Sequence, residues 1–262
     1  MFSKALTTSA RVALLAAFLS TTFASTPASA VARFGTACQK SYEGSWLETL
    51  SYSYDRCGRF NNELDDTDTK IFYYSLVDAK WWWEGAGDQL TLDNVHLFYG
   101  STHGGTSSSW SRWAMWNDQT RAYSSNMRLG NEAVGTHIFS TYACETLKVS
   151  DGHLWDRMGP IFSGGLKYAT GSHDKVYDGN STKDTGEDYA DNLQKGQAIK
   201  YAWKNGNSDW INDQDVTVVA TGTNASNCHS RRDNMKWQNF GGYSRLRDGQ
   251  IGYICRTSWD NL

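Results

Sequence analysis

Val95-His96-Leu97-Phe98-Tyr99 before Gly100, and Thr136-His137-Ile138-Phe139-Ser140-Thr141-Tyr142 before Ala143-Cys144, are the two stretches that decide the fold. Each is a short apolar and β-branched run stopped by small residues. That is the pattern of a strand buried on both faces, as in the interior of a parallel sheet. Val216 to Ala220 reads as a further strand and Ile251 to Cys255 as another. Two segments read as helices. Thr67 to Ala79 has Asp66 in a capping position and Phe72 four residues before Leu76, and Glu187 to Lys204 lines up Tyr189, Leu193 and Trp203 despite Gly196. Strands interleaved with helices predict an α/β layer fold with a central, mostly parallel sheet flanked by helices.

The first thirty residues have a basic start at Lys4 and Arg11, an apolar stretch from Val12 to Leu19, and Ala28-Ser29-Ala30, the small-residue pattern of a signal-peptide cleavage site. Residues 1–30 are therefore expected to be a signal peptide, with 31–262 a single α/β domain beginning at Val31. The apolar stretch is too short to span a bilayer, and no other segment approaches the roughly 18 to 20 apolar residues needed. A soluble, exported protein is expected, extracellular or periplasmic according to the host.

The formal charge of the whole sequence is −3, and losing Lys4 and Arg11 with no acidic residue makes it −5. Nucleic-acid binders usually cluster Lys and Arg, whereas Arg231-Arg232 is only a pair here, so no nucleic-acid partner is expected. Without His-Glu-x-x-His or paired Cys-x-x-Cys there is no zinc signature either, and no metal or cofactor is expected.

Export places the five cysteines where disulfides persist. Cys38 and Cys57 are close in sequence near the mature N-terminus, and Cys228 and Cys255 near the C-terminus. Local pairing of each couple leaves Cys144 over, although sequence does not fix connectivity. Cys144 ends the second buried strand, and Ser101-Thr102-His103-Gly104-Gly105 ends the first. Ligands in parallel α/β sheets sit beyond the carboxyl ends of strands. If these two strands are parallel neighbours, His103 and Cys144 reach the same edge, where an imidazole can take the proton of a thiol nucleophile. The amide of Gly104 or Gly105, with that of Cys144, is then a candidate oxyanion donor set.

A hydrophobic strand ending in His-Gly, followed by another ending in Ala-Cys, resembles the caspase-like cysteine peptidases, which include caspases, legumain, clostripain and gingipains. The spacing of 41 residues is near the roughly 50 of caspases. Trp155, Phe162-Ser163-Gly164-Gly165-Leu166, Gly186-Glu187-Asp188-Tyr189-Ala190, Gly196 and Ala202-Trp203 resemble a family of bacterial secreted proteins with the same layout. The resemblance implies a caspase-haemoglobinase-like fold, His103 as base, Cys144 as nucleophile, and a peptide or protein substrate. Glu145-Thr146-Leu147 departs from the small residues that often follow the cysteine in such enzymes, and the resemblance supplies no specificity pocket.

Other readings of the same residues stand beside this one. Cys144 also fits a buried structural thiol, and His103 a turn residue. His96 and His137 fall within strands, where packing roles are the ordinary ones, and His153, His173 and His229 lie in loops without ligand spacing. Glu145, Asp151, Asp156 and Asp174 are candidates for selecting a basic substrate side chain. No Gly-x-Ser-x-Gly elbow accompanies Thr106 to Ser109, which disfavours a serine hydrolase. With 12 tryptophans and 14 tyrosines, a rival class is a non-catalytic carbohydrate- or polymer-binding protein using Trp110, Trp113 and Trp116. Their spacing puts Trp113 on the opposite face of a strand from the other two. The sequence leaves the oligomeric state open.

Overall fold

The structure, a computed structural model, describes residues 31–42, 47–75, 78–83, 85, 87–115, 121–208, 214–260 and 262. The expected signal peptide and Trp116 lie outside them. In chain order the strands are β1 (Arg33–Cys38), β2 (Thr69–Tyr74), β3 (Leu97–Ser101), β4 (Gly104–Thr106), β5 (Ser111–Ala114), β6 (Arg121–Tyr123), β7 (Ile138–Tyr142), β8 (Tyr168–Ser172), β9 (Val216–Gly222) and β10 (Tyr253–Trp259). The helices are α1 (Ser53–Asp65), α2 (Leu154–Phe162), α3 (Thr185–Gln194), α4 (Ile199–Gly206) and α5 (Ala225–Asn234).

Seven strands form the central sheet in the order β10-β9-β8-β7-β3-β1-β2. Pairing is parallel from β2 through β1, β3 and β7 to β8. At the other end β9 runs against β8, and β10 against β9. The sheet is thus mixed but mostly parallel, in agreement with the α/β reading. A small antiparallel sheet, β4-β5-β6, is inserted after β3.

Every residue of β3 and β7 is buried, which explains why their sequences show apolar runs rather than alternation. Leu97, Tyr99, Ile138 and Tyr142 face a core built with Phe60 and Leu64 of α1, Tyr189 and Leu193 of α3, Trp203 of α4 and Cys228 of α5. Phe98 and Phe139 face the opposite core with Trp82, Trp113, Met115 and the α2 residues Met158, Ile161 and Phe162. Phe98 stands opposite Phe139 in the register, and their rings stack at 5.4 Å. Two apolar layers of this kind hold the β3–β7 pair rigidly from both sides.

Two of the helix expectations are corrected. Residues 69–74 form strand β2, not part of a helix over Thr67 to Ala79, and Asp66 is the C-cap of α1 rather than an N-cap. Ile71-Phe72-Tyr73-Tyr74 is a β-branched and aromatic run, and Phe72 lies over Gly35 of the neighbouring strand, where even a Cβ would come within 2.4 Å of its ring. Leu76 lies outside the described residues. Glu187 to Lys204 is two helices, α3 and α4, interrupted at Gly196, whose φ of +75° is a left-handed conformation suited to glycine. The C-terminal strand starts at Tyr253, two residues later than expected, and runs on to Trp259.

Cys38 is bonded to Cys57 and Cys228 to Cys255, with Cα separations of 6.1 and 5.9 Å, and Cys144 carries a free thiol. No helix among the described residues is long and apolar enough to cross a membrane.

Candidate functional site

β3 and β7 are adjacent and parallel, with Ser101 opposite Tyr142. His103 and Cys144 each follow two residues later, so both leave the sheet at its carboxyl edge. Both are half-buried. The chain is tightly packed between them. A Cβ placed on Gly104 would lie 2.3 Å from the Cys144 carbonyl oxygen and 2.9 Å from its nitrogen, so only glycine lets the two backbones meet.

Each side chain has its own partner. His103 Nε2 lies 2.7 Å from the Glu48 carbonyl oxygen, and the Cys144 sulfur accepts the Val176 N–H at 3.5 Å while the thiol faces the Val176 carbonyl at 3.9 Å. Among the described residues the imidazole and the sulfur form no hydrogen bond with each other. Since the Glu48 carbonyl can only accept, Nε2 must carry the hydrogen when the ring is neutral. Nδ1 then keeps the lone pair a base needs.

Burial pushes the Cys144 thiol up from its ordinary value. The Val176 N–H pulls it partly back, and the Glu145 carboxylate adds to the rise. The sulfur is therefore a thiol at rest, and attack on a carbonyl requires a base to take its proton. Glu145, immediately after it, has φ +54°, the one positive value of a non-glycine residue among the described residues. Its N–H donates to the Asp174 carbonyl at 2.9 Å, which fixes the sharp turn out of β7. Backbone strain of this sort is concentrated at functional sites.

Of the oxyanion candidates, the ladder separates the two glycines. Ala114 N–H donates to the His103 carbonyl, so alternation directs the Gly105 amide toward Arg112 of β5 and the Gly104 amide away from the hairpin. Gly104 is therefore the glycine whose amide lies outside the β4–β5 ladder.

Beneath this edge lies the buried Arg56. Its guanidinium donates to Ser101 Oγ at 3.1 Å and Thr182 Oγ1 at 3.1 Å, pairs with Asp178, and stacks 4.3 Å from the Tyr142 ring centroid. It thereby ties α1 to the last residues of both site-bearing strands. The acidic candidates for substrate selection are largely engaged locally: Glu145 with Lys148, Asp151 with Arg157, Asp156 with His153, and Asp174 with the Lys175 N–H.

Trp113 is fully buried, with its indole N–H on Thr141 Oγ1 at 3.2 Å, and so cannot be part of an exposed binding platform. Trp110 is held edge-on by Tyr123 and carries Arg112 over its face. His137 is buried and accepts from Lys167 Nζ at 3.1 Å, while His96 Nδ1 accepts the Arg33 N–H at 3.0 Å. His173 pairs with Asp260 at 2.8 Å, in a group with Asp215 near the surface.

At the opposite end of β3 and β7, Asp88, Asp93 and Glu132 bring carboxylate oxygens within 4.8 Å of one another, an acidic group that sequence spacing does not announce. Asp93 accepts the N–H groups of Gly130, Asn131 and Thr136, and burial together with a hydrogen bond to Asp93 pushes Glu132 up to about 8. Backbone donors meet the Asp93 carboxylate, and the group is remote from His103 and Cys144.

Tyr42, Glu48, Val176 and the Arg56–Asp178 pair are site features that the sequence does not single out. The signal for Tyr42 and Glu48 is their position between the two cysteines that close a disulfide across the end of β1.

An α/β protein with histidine and cysteine at the ends of neighbouring parallel strands is the class that these elements define. A family model described as a domain of unknown function, DUF6345, matches residues 37–258, and the chain belongs to that family. The matched span holds His103, Cys144 and all four disulfide cysteines. No curated protein matches the chain.

Proposed function

We propose that this protein is an exported, caspase-like cysteine hydrolase that cleaves peptide bonds, with Cys144 as nucleophile and His103 as general base and then general acid. The observation that carries the reading is the parallel pairing of β3 with β7, which delivers the two residues to one sheet edge at the same level. Two disulfides agree with export to an oxidising compartment.

The chemistry follows from the groups present. His103 Nδ1 takes the Cys144 proton as the sulfur–carbon bond forms at the substrate carbonyl, and the negative oxygen is met by the Gly104 and Cys144 amides. Collapse breaks the carbon–nitrogen bond, the amine leaves with the proton from Nδ1, and a thioester to Cys144 remains. Water then adds to the thioester, gives its proton to Nδ1 and releases the acid, and the proton returns to sulfur.

The test is turnover of a peptide library by the wild-type protein and by Cys144→Ala. Cleavage by the wild type that disappears in a variant retaining both disulfides and its melting temperature supports the reading. Undiminished cleavage by Cys144→Ala overturns it.

A further inference from the structure

Tyr42 holds the backbone and the ring of His103 at once. Its hydroxyl accepts the His103 N–H at 3.1 Å and lies 3.0 Å from Thr102 Oγ1, and its ring lies 5.1 Å from the imidazole centroid. The directions of these bonds are set by their neighbours. Thr102 sends its own hydroxyl hydrogen to the Ala114 carbonyl, so Thr102 Oγ1 receives the Tyr42 hydrogen, and the Tyr42 oxygen is left to receive from His103. Burial pushes Tyr42 up to about 12, so this hydrogen is present throughout the neutral range.

The arrangement interrupts the hairpin that follows β3. Ala114 donates to the His103 carbonyl, and a regular antiparallel pair would return the His103 N–H to the Ala114 carbonyl. Thr102 occupies that carbonyl instead, and the His103 amide is turned to Tyr42. A hydroxyl from outside the hairpin therefore takes His103 out of the ladder at the residue where the chain leaves the central sheet. Glu48, which accepts from the other end of the same histidine, lies with Tyr42 inside the interval closed by Cys38 and Cys57.

We propose that Tyr42 is a positioning residue for His103: its hydroxyl holds the histidine backbone so that Nε2 meets the Glu48 carbonyl and Nδ1 keeps the lone pair that takes the Cys144 proton. The inference rests on the reading of His103 as the base, and it is tested by a measurement that does not depend on Cys144.

That measurement is the tautomer of His103 by nitrogen NMR in the wild type and in Tyr42→Phe, which keeps the ring and removes the hydroxyl. The expected result is a single Nε2–H tautomer in the wild type and a mixture in the variant. In the same pair, the His103-dependent part of Cys144 alkylation by iodoacetamide should fall about ten- to a hundredfold, as expected for a base displaced by about an ångström. Tyr42→Phe combined with His103→Ala should alkylate no more slowly than His103→Ala alone, because a residue acting through His103 has nothing left to position. An unchanged tautomer in folded Tyr42→Phe overturns the proposal, as does an additive loss in the double variant. Should Tyr42→Phe fail to fold, Thr102→Val removes the hydroxyl that receives from Tyr42 and is read in the same way. Failure of the catalytic reading itself looks different: His103→Ala then leaves Cys144 alkylation unchanged while the tautomer still responds to Tyr42→Phe.

Discussion

The Nε2 of His103 lies 2.7 Å from the backbone carbonyl oxygen of Glu48. A carbonyl cannot donate, so this contact fixes which ring nitrogen carries hydrogen in the neutral imidazole. Nitrogen NMR of the wild-type protein, at a pH where the ring is neutral, is expected to show a protonated Nε2 and a bare Nδ1. The reverse assignment would leave His103 without a base facing away from Glu48.

Gly104 meets the Cys144 backbone so closely that an added methyl has nowhere to go: the Cys144 carbonyl oxygen and nitrogen would lie at 2.3 and 2.9 Å, with the Thr146 methyl at 2.8 Å. Gly104→Ala is expected to cost about 1–3 kcal/mol by overpacking and to slow Cys144 alkylation. Gly58, within α1, has open space where a methyl would be added, with nothing within 4 Å, and is the matched control. Gly58→Ala should raise stability by about 0.5–1 kcal/mol through helix propensity, with Cys144 reactivity unchanged. Denaturant unfolding of the two variants checks both signs.

Removing the buried guanidinium of Arg56 leaves Asp178 without its ion partner and frees Ser101, Thr182 and Tyr142 from a common tether. Arg56→Met is expected to destabilise by about 3–5 kcal/mol, the cost typical of breaking a buried pair from one side. Calorimetry measures this directly, and a change within about 0.5 kcal/mol, typical of an ordinary surface site, would contradict it.

Stability should also depend on pH through two groups distant from the candidate site. Burial, with Arg231 and Arg245 nearby, pushes Lys167 down to about 7. The unfolded chain then binds more protons than the folded one between about 7 and the ordinary lysine value near 10.4, so this residue makes stability rise with pH across that window. Glu132 acts in the opposite sense. With its carboxyl pushed up to about 8, chiefly by burial, the folded state holds a proton that the unfolded state has lost, and stability falls as pH rises from about 4.5 to 8. Melting temperature against pH should therefore rise less steeply above pH 7 in Lys167→Met than in the wild type, and fall less between pH 5 and 8 in Glu132→Gln. Parallel curves for wild type and variants would contradict the respective assignment.

The parts of the fold that are legible in the sequence are those where one physical demand acts alone. Leu97–Tyr99 and Ile138–Tyr142 are buried on both faces, so their apolar runs signal strands without ambiguity. β2 lies at the sheet edge, where mostly exposed residues, the preceding Asp66 and the placing of Phe72 four residues before Leu76 imitate a helix start. α1 is illegible for the converse reason: its inward stripe includes Ser53, Arg56 and Asn61 beside Cys57, Phe60 and Leu64, so polar residues dilute the apolar period. At the site, His103 and Cys144 can be chosen because each ends a legible strand. Glu48 and Val176 act through their backbones, which side-chain identity cannot announce, and Arg56 meets Asp178 across 122 residues of chain.

The central claim is the pairing of a reactive Cys144 with His103, and the most direct measurement is alkylation of the native, non-reduced protein with iodoacetamide across a pH range. The labelled peptide is mapped by mass in the wild type and in His103→Ala. Labelling confined to Cys144, faster near neutral pH with His103 than without it, is the expected result. A Cys144 that labels only after denaturation, or at the same rate in His103→Ala, would contradict the dyad.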